Sequence, residues 1–275
     1  MRPQCPTFAA LRGSALRGFA YPRLVAAALF GFLAGCAPVA ADELVKFASA
    51  GQGDPIQGYL TRPEGRGSFP AVVLLHTCLG LPEARASIGK RIAGWGYVAL
   101  FVDDFATGGL KETCAVDFPP ALPNAYGALA YLSRLAFVDS GRIAAIGFSQ
   151  GGDTALKIAI GGGRSTGGQG AVFKAAAAFY PPCANVAGAA LDIPTLILVG
   201  AKDGVTPAAD CTQLMKQQAP GMVRLVIYPG AAHGFDIPEF GPGTRIMGML
   251  LAYDRNTAQR SWSELRSFLS ARLAR

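Results

Sequence analysis

Several common features are scarce or missing in this chain of 275 residues. Only 16% of the residues are charged and 51% are apolar, which excludes a disordered tail, a coiled coil and a collagen-like rod. No C-x-x-C pair is present, so a zinc site has little support. The glycine-rich stretch Gly161–Gly170 contains no G-K-[ST] element, so a phosphate-binding loop is unsupported. We therefore expect neither a metal nor an organic cofactor.

Acidic residues are absent from the first 35 positions, which contain the arginines Arg2, Arg12, Arg17 and Arg23. Without these four arginines the net charge of +7 falls to +3. A net charge of +3 spread over the rest of the chain is small and gives little reason to expect a nucleic-acid partner. A small-molecule substrate is expected instead, and the sequence leaves the oligomeric state open.

The longest apolar run of this basic segment is Leu24–Gly35, which is too short to span a bilayer comfortably and suits the core of a signal peptide. The segment ends Leu33-Ala34-Gly35-Cys36, which resembles a bacterial lipobox. Residues 1–35 are thus predicted to be a lipoprotein-type signal peptide. Lipidated Cys36 would then anchor the protein to a membrane in the bacterial periplasm. Cleavage after Ala41, before Asp42, is the alternative and would give a soluble exported form.

Six cysteines are present, of which Cys5 and Cys36 belong to the leader. The remaining four are Cys78, Cys114, Cys183 and Cys211. An even number of cysteines in an exported protein favours disulfides, although four buried thiols would also fit. Four cysteines allow three pairings. The preferred one joins sequence neighbours, Cys78 with Cys114 and Cys183 with Cys211.

Apolar runs typical of strands alternate with helical patterns over residues 42–275, which predicts a single α/β domain. Its sheet should be mostly parallel and covered by helices on both faces, with an antiparallel hairpin at the start. The predicted strands are Leu44–Ala48, Ile56–Thr61, Ala71–His76, Tyr97–Val102, Arg142–Phe148, Lys174–Tyr180, Thr195–Gly200 and Val223–Tyr228. The predicted helices are Glu83–Ala93, Pro123–Ala136, Gln150–Ile160, Pro207–Gln218 and Asp254–Leu273.

The segment Gly147-Phe148-Ser149-Gln150-Gly151 matches G-x-S-x-G and lies between a predicted strand and a predicted helix. A sharp turn in that setting exposes the serine hydroxyl, and it requires very small neighbours. The same turn points the N–H of Gln150 towards a substrate oxygen. Ser149 is therefore the candidate nucleophile.

A serine nucleophile of this kind needs a general base, and only His76 and His233 are available. In this fold the order along the chain is serine, acid, histidine, which only His233 satisfies. His76 ends a predicted strand ahead of the serine. We expect it to have a structural role or to line the pocket.

Four acids lie between Ser149 and His233: Asp153, Asp192, Asp203 and Asp210. Only Asp203 directly follows a strand at the carboxyl edge of the sheet, where ligands bind in open α/β folds. Asp203 is thus predicted to orient His233. The second oxyanion donor should come from the loop after Ala71–His76, with the N–H of Cys78 preferred over that of Thr77.

Together these residues resemble the dienelactone hydrolase family of the α/β-hydrolase fold, from about Gly58 to the C-terminus. The segments that carry the resemblance are Ala71–Leu81, Gly94–Asp103, Gly147–Gly152, Asp203, His233–Phe235 and Leu251–Asp254. The resemblance implies hydrolysis of small esters or lactones without a cofactor. It also implies that the loop Phe105–Pro123 forms a wall of the pocket and is tied to Cys78 through Cys114.

The chain departs from the family's namesakes at three places. Those enzymes have cysteine where Ser149 stands and usually glutamate where Thr77 stands. They also bind a substrate carboxylate through arginines, whereas no arginine occurs in the four residues after His233. The sequence therefore predicts a serine esterase for which dienelactone is a poor substrate. The alternatives are a small peptidase related to prolyl oligopeptidases and a non-catalytic envelope binding protein.

Overall fold

The structure is a computed structural model that describes residues 42–51, 53–106, 108–114, 121–164, 170–246 and 248–274. The predicted signal peptide, the candidate lipidation site Cys36 and the cleavage site after Ala41 lie outside the described residues.

Eight strands form one sheet in the order β1-β2-β4-β3-β5-β6-β7-β8, and a separate hairpin pairs β9 with β10. The strands are β1 (Glu43–Phe47), β2 (Ile56–Thr61), β3 (Phe69–Leu75), β4 (Val98–Asp103), β5 (Val138–Phe148), β6 (Phe173–Phe179), β7 (Thr195–Gly200), β8 (Val223–Tyr228), β9 (Thr244–Ile246) and β10 (Met249–Leu251). Strands β3 to β8 run parallel, whereas β1 and β2 form the predicted antiparallel hairpin at one edge. The carboxyl ends of six neighbouring strands therefore meet at one edge of the sheet.

Within the described residues, five α-helices connect or follow these strands. They are α1 (Arg85–Gly94), α2 (Ala121–Leu132), α3 (Gln150–Ile160), α4 (Ala208–Lys216) and α5 (Arg255–Arg272). Short 3-10 helices occur at Cys183–Val186 and Pro238–Phe240. The carboxylate of Asp254 caps α5 by accepting a hydrogen bond of 2.6 Å from the N–H of Thr257.

The central strands read as continuous apolar runs because helices cover both of their faces. One face packs against α2, α3 and α4, whose buried residues include Leu132, Leu156 and Leu214. The other packs against α1 and α5, which bury Ile92 and Trp262. Each fully buried large side chain contributes about 1.5–3 kcal/mol of transfer free energy. This double cover confirms the predicted α/β layering.

The bounds of β2, β7, β8 and α3 coincide with those predicted from the sequence. Strand β5 begins at Val138, earlier than predicted, because Val138 pairs with Phe69 before a register shift that leaves extra residues in β5. The hairpin β9–β10 was missed, since strands of three residues are too short to show a periodic pattern.

Two disulfides join Cys78 to Cys114 and Cys183 to Cys211, which is the pairing of sequence neighbours. The second is buried between a 3-10 helix and α4. Among the described residues, no helix is both long and apolar enough to cross a membrane.

Candidate active site

Ser149 occupies a sharp turn between β5 and α3, with a backbone φ of 52° that non-glycine residues rarely adopt. Its N–H donates to the carbonyl of Phe179 at 2.9 Å, and its carbonyl accepts from the N–H of Asp153 at 3.0 Å. These bonds hold the strained turn in place. The hydroxyl is thereby presented at the carboxyl edge of the sheet.

The two glycines that flank Ser149 are required by close backbone contacts. A β-carbon on Gly147 would overlap the carbonyl group of Gly151. A β-carbon on Gly151 would overlap the carbonyl groups of Leu75 and His76. The G-x-S-x-G pattern therefore reflects both the tightness of this turn and its packing against the end of strand β3.

The imidazole of His233 lies between Ser149 and Asp203. Its Nε2 is 3.0 Å from the Oγ of Ser149, and its Nδ1 is 2.8 Å from the Oδ2 of Asp203. A carboxylate only accepts hydrogen bonds, so the ring proton belongs on Nδ1 and leaves the lone pair of Nε2 facing the serine hydroxyl. Ser149 and Asp203, which are predicted to converge on His233, are thus each within hydrogen-bonding distance of its ring.

Asp203 directly follows β7, and main-chain bonds tie its loop to the histidine loop. The N–H of Lys202 donates to the carbonyl of Ala231 at 2.9 Å. The Oδ1 of Asp203 accepts from the N–H groups of Val205 at 2.9 Å and Thr206 at 2.8 Å. Its Oδ2 also lies 2.9 Å from the Oγ1 of Thr206. The carboxylate is thus fixed on the side facing His233.

Thr206 was not predicted from the sequence. Its hydroxyl lies 3.2 Å from the Nδ1 of His233 and 3.1 Å from the carbonyl oxygen of Tyr180, besides contacting Asp203. A threonine three residues after an aspartate is common, so the sequence offers no signal for this contact. The hydroxyl of Thr206 therefore lies within hydrogen-bonding distance of both the carboxylate of Asp203 and the imidazole of His233.

A cavity of about 210 Å³ opens in front of the serine, and we call it the serine cavity. Ser149, Gln150, Cys78 and Thr77 all line it, so the residues predicted to supply the two oxyanion donors and the alternative residue border the same space. Gln150 is the first residue of α3, where N–H groups lack a partner within the helix. The helix dipole also favours negative charge at this end.

Apolar residues form the far wall of the serine cavity: Ile237, Phe240, Ile246, Met249 and Leu251. Among the described residues that line it, the titratable side chains are His233 and Tyr180, since Cys78 and Cys114 are bonded to each other. Hairpin β9–β10 supplies part of this wall and supports His233, because the carbonyl of His233 accepts from the N–H of Ala252 at 3.1 Å. Uncharged groups are therefore favoured here.

A second cavity of about 230 Å³ shares Tyr180, Ile237 and Phe240 with the first and extends past Asp236. The hydroxyl of Tyr180 donates to the Oδ1 of Asp236 at 2.8 Å, and the tyrosine ring packs edge-on against His233. Loss of solvent around the carboxyl raises the pKa of Asp236 to about 6. Acidic residues, Glu83 and Glu239, also line this cavity, whereas lysine and arginine are absent from its described walls.

His76 lies at the end of β3 and lines the second cavity, in agreement with the expectation of a pocket-lining residue. Its two ring nitrogens contact the main chain of Thr77 and Asp104. Nothing in the described part of the chain groups three or more metal-binding side chains.

The dienelactone hydrolase family model matches residues 56–273 of this chain. Cutinase 1 of Thermobifida cellulosilytica is 27% identical over 152 residues, which cover 55% of each chain. The chain thus matches about half the length of the curated cutinases to which it is similar.

Many solved structures have a similar fold, and two of them illustrate the similarity. A putative dienelactone hydrolase from Klebsiella pneumoniae has a TM-score of 0.65 at 20% identity, covering 84% of this chain and 99% of its own. The dienelactone hydrolase-like promiscuous phosphotriesterase P91 from metagenomic libraries has a TM-score of 0.68 at 23% identity, covering 86% and 100%. Together with the topology, these similarities confirm the α/β-hydrolase fold.

Proposed function

The chain belongs to the dienelactone hydrolase family, and we propose that it is a hydrolase of small carboxylic esters or lactones with Ser149 as its nucleophile. The observation that carries the proposal is the contact series from Asp203 through His233 to the hydroxyl of Ser149. No other described serine combines a strained strand-to-helix turn with a histidine at hydrogen-bonding distance. The similarity to cutinases supports ester hydrolysis.

In the proposed mechanism, the Oγ of Ser149 attacks the ester carbonyl while the Nε2 of His233 accepts its proton. Asp203 holds the imidazole in position and stabilises its charged form. The N–H groups of Gln150 and Cys78 then donate to the oxyanion of the tetrahedral intermediate. His233 gives the proton to the leaving alcohol, and a water activated by the same histidine hydrolyses the acyl-enzyme.

The substrate is proposed to be uncharged near its reacting carbonyl. The serine cavity is mostly apolar, and its described walls contain no lysine or arginine that could bind a carboxylate. In the second cavity, acidic residues would repel an anionic group. A neutral ester should therefore be hydrolysed faster than the matching ester that carries a carboxylate.

Replacing the nucleophile tests the proposal. Ser149→Ala should abolish turnover of p-nitrophenyl acetate and p-nitrophenyl butyrate, because no other group would form the acyl-enzyme. Ser133→Ala is a suitable control, since Ser133 lies just after α2 and its hydrogen bonds within the described residues are to the main chain of Ala130 and Leu129. Unchanged turnover in Ser149→Ala would overturn the assignment. A fluorophosphonate probe that fails to label the wild-type protein would favour a binding protein instead.

We also propose that the protein is exported to the periplasm and anchored through lipidated Cys36. The basic leader with a lipobox-like end supports export. The two disulfides support an oxidising compartment. Radioactive palmitate should label the wild type but not Cys36→Ser. Absence of label in the wild type, with an N-terminus at Asp42, would favour the soluble form.

A further inference from the structure

His76 has no role in the proposed mechanism, yet both of its ring nitrogens take part in hydrogen bonds. His76 is 4% exposed, and its Nε2 lies 3.2 Å from the N–H of Asp104. The Oδ2 of Asp104 lies farther from Nε2, at 3.8 Å, so the main-chain N–H is its hydrogen-bond partner. A main-chain N–H can only donate, so Nε2 must be the acceptor and carry no proton. In a neutral imidazole the proton then lies on Nδ1.

The Nδ1–H of His76 therefore donates to the carbonyl oxygen of Thr77, 2.7 Å away. This carbonyl shares one planar peptide group with the N–H of Cys78, which is the proposed oxyanion donor. In a trans peptide the C=O and N–H point in opposite directions. Holding the carbonyl of Thr77 thus fixes the direction in which Cys78 donates.

The geometry points to His76 as the positioning residue of the oxyanion hole, acting through the peptide between Thr77 and Cys78. The inference rests on the proposed ester hydrolysis at Ser149. By donating to the carbonyl, His76 also polarises this peptide and makes the N–H of Cys78 a better donor. The N–H of Gly80 donates to the same carbonyl at 3.0 Å. The carbonyl of Thr77 therefore accepts one hydrogen bond from the main chain and one from the side chain of His76.

Further contacts join this peptide to the nucleophile. The carbonyl of His76 accepts from the N–H of Gly151 at 3.0 Å, which ties the histidine to the turn around Ser149. On the other side, the N–H of Thr113 donates to the carbonyl of Cys78 at 2.8 Å, and the hydroxyl of Thr113 donates to the Oε1 of Gln150 at 3.0 Å. Hydrogen bonds thus hold the main chain on both sides of the peptide that joins Thr77 to Cys78.

Two substitutions separate positioning from packing. In His76→Asn, the side-chain amide N–H can occupy the place of Nδ1 and still donate to the carbonyl of Thr77. In His76→Gln, the amide reaches towards the place of Nε2 and leaves that carbonyl with Gly80 alone. We expect kcat for p-nitrophenyl butyrate to fall about 10- to 100-fold in His76→Gln, with KM changed less than about threefold. His76→Asn should recover most of this loss.

A trifluoromethyl ketone, which forms a tetrahedral oxyanion on serine, provides a second reading. Its affinity should fall with kcat in His76→Gln, because both depend on the same N–H donor. An unchanged kcat in His76→Gln, or equal losses in both variants, would overturn the inference. Ser149→Ala measured alongside distinguishes the two proposals: if it stays active the ester-hydrolase proposal fails, and if it is inactive only the role of His76 is at stake.

The wild-type protein offers a test that does not depend on variants folding. Long-range ¹H–¹⁵N correlations of the imidazole should identify His76 as the neutral tautomer protonated at Nδ1. A ring protonated at Nε2 could not donate to the carbonyl of Thr77 and would contradict the inference.

Discussion

The regions around His76 and His233 contain the same side chain at the same 4% exposure, yet they differ in what each ring nitrogen contacts. Around His233, one nitrogen faces a carboxylate and the other faces the hydroxyl of Ser149. Around His76, both nitrogens are hydrogen-bonded to main-chain groups, and the Oδ2 of Asp104 lies 3.8 Å from Nε2, beyond hydrogen-bonding distance. A nitrogen that faces a hydroxyl can exchange a proton with it, whereas one bound to the main chain can only hold the chain in place. Contacts, more than burial, thus separate a base from a positioning group.

Substituting each histidine in turn should give the largest difference in turnover between the two regions. His233→Ala removes the proposed base, and turnover of p-nitrophenyl butyrate should fall by about 10⁴- to 10⁶-fold. His76→Gln should reduce it by no more than about 100-fold. Asp203→Asn, which leaves the imidazole in the wrong tautomer, should lose about 10⁴-fold. Steady-state kinetics would check all three, and a loss in His76→Gln as large as in His233→Ala would remove the distinction.

The two disulfides allow a second comparison. Cys78–Cys114 lines the serine cavity, whereas Cys183–Cys211 lies between a 3-10 helix and α4. In the loop-entropy model, replacing either pair by serine should destabilise the fold by about 3–4 kcal/mol. Only loss of the first pair should also lower kcat, because the bond to Cys114 holds the loop whose main-chain N–H at Cys78 is the proposed oxyanion donor. Thermal unfolding and kcat would be measured together, and equal kcat losses would contradict this difference.

The smallest expected effect is the pH dependence of stability caused by Asp236, whose carboxyl group accepts a hydrogen bond from Tyr180. Burial raises the pKa of Asp236 to about 6 from its ordinary value near 3.8, so the folded protein binds more protons between these values than the unfolded chain. The free energy of unfolding should therefore fall as pH rises from about 4 to 6, by about 1 kcal/mol per pH unit. Asp236→Asn should remove this slope.

Asp254 provides the control for that titration. Hydrogen bonds from Thr257 lower the pKa of Asp254, so its contribution is present above the unfolded pKa and is lost as pH falls. Asp254→Asn should therefore change the slope in the opposite sense, while asparagine still caps the helix. Denaturant unfolding at a series of pH values would measure both slopes. A wild-type slope that Asp236→Asn leaves unchanged would contradict the assigned pKa shift.

Much of the fold could be predicted because its strands are either buried apolar runs or clear alternations. The chain order of nucleophile, acid and histidine pointed to Ser149, Asp203 and His233 before any geometry was known. Contacts to main-chain groups could not be predicted in this way. The carbonyl of Thr77 and the N–H of Asp104 exist whatever the side chain, so the sequence could not indicate how His76 would use them. Hairpin β9–β10 was missed because its strands are too short to show a pattern.

The central claim, that Ser149 is a nucleophile activated by His233, is tested most directly by covalent labelling. After reaction with a fluorophosphonate, mass spectrometry of peptides should locate a single adduct on Ser149, and the rate of labelling should fall sharply in His233→Ala. Labelling of another residue, or an undiminished rate in His233→Ala, would contradict the account.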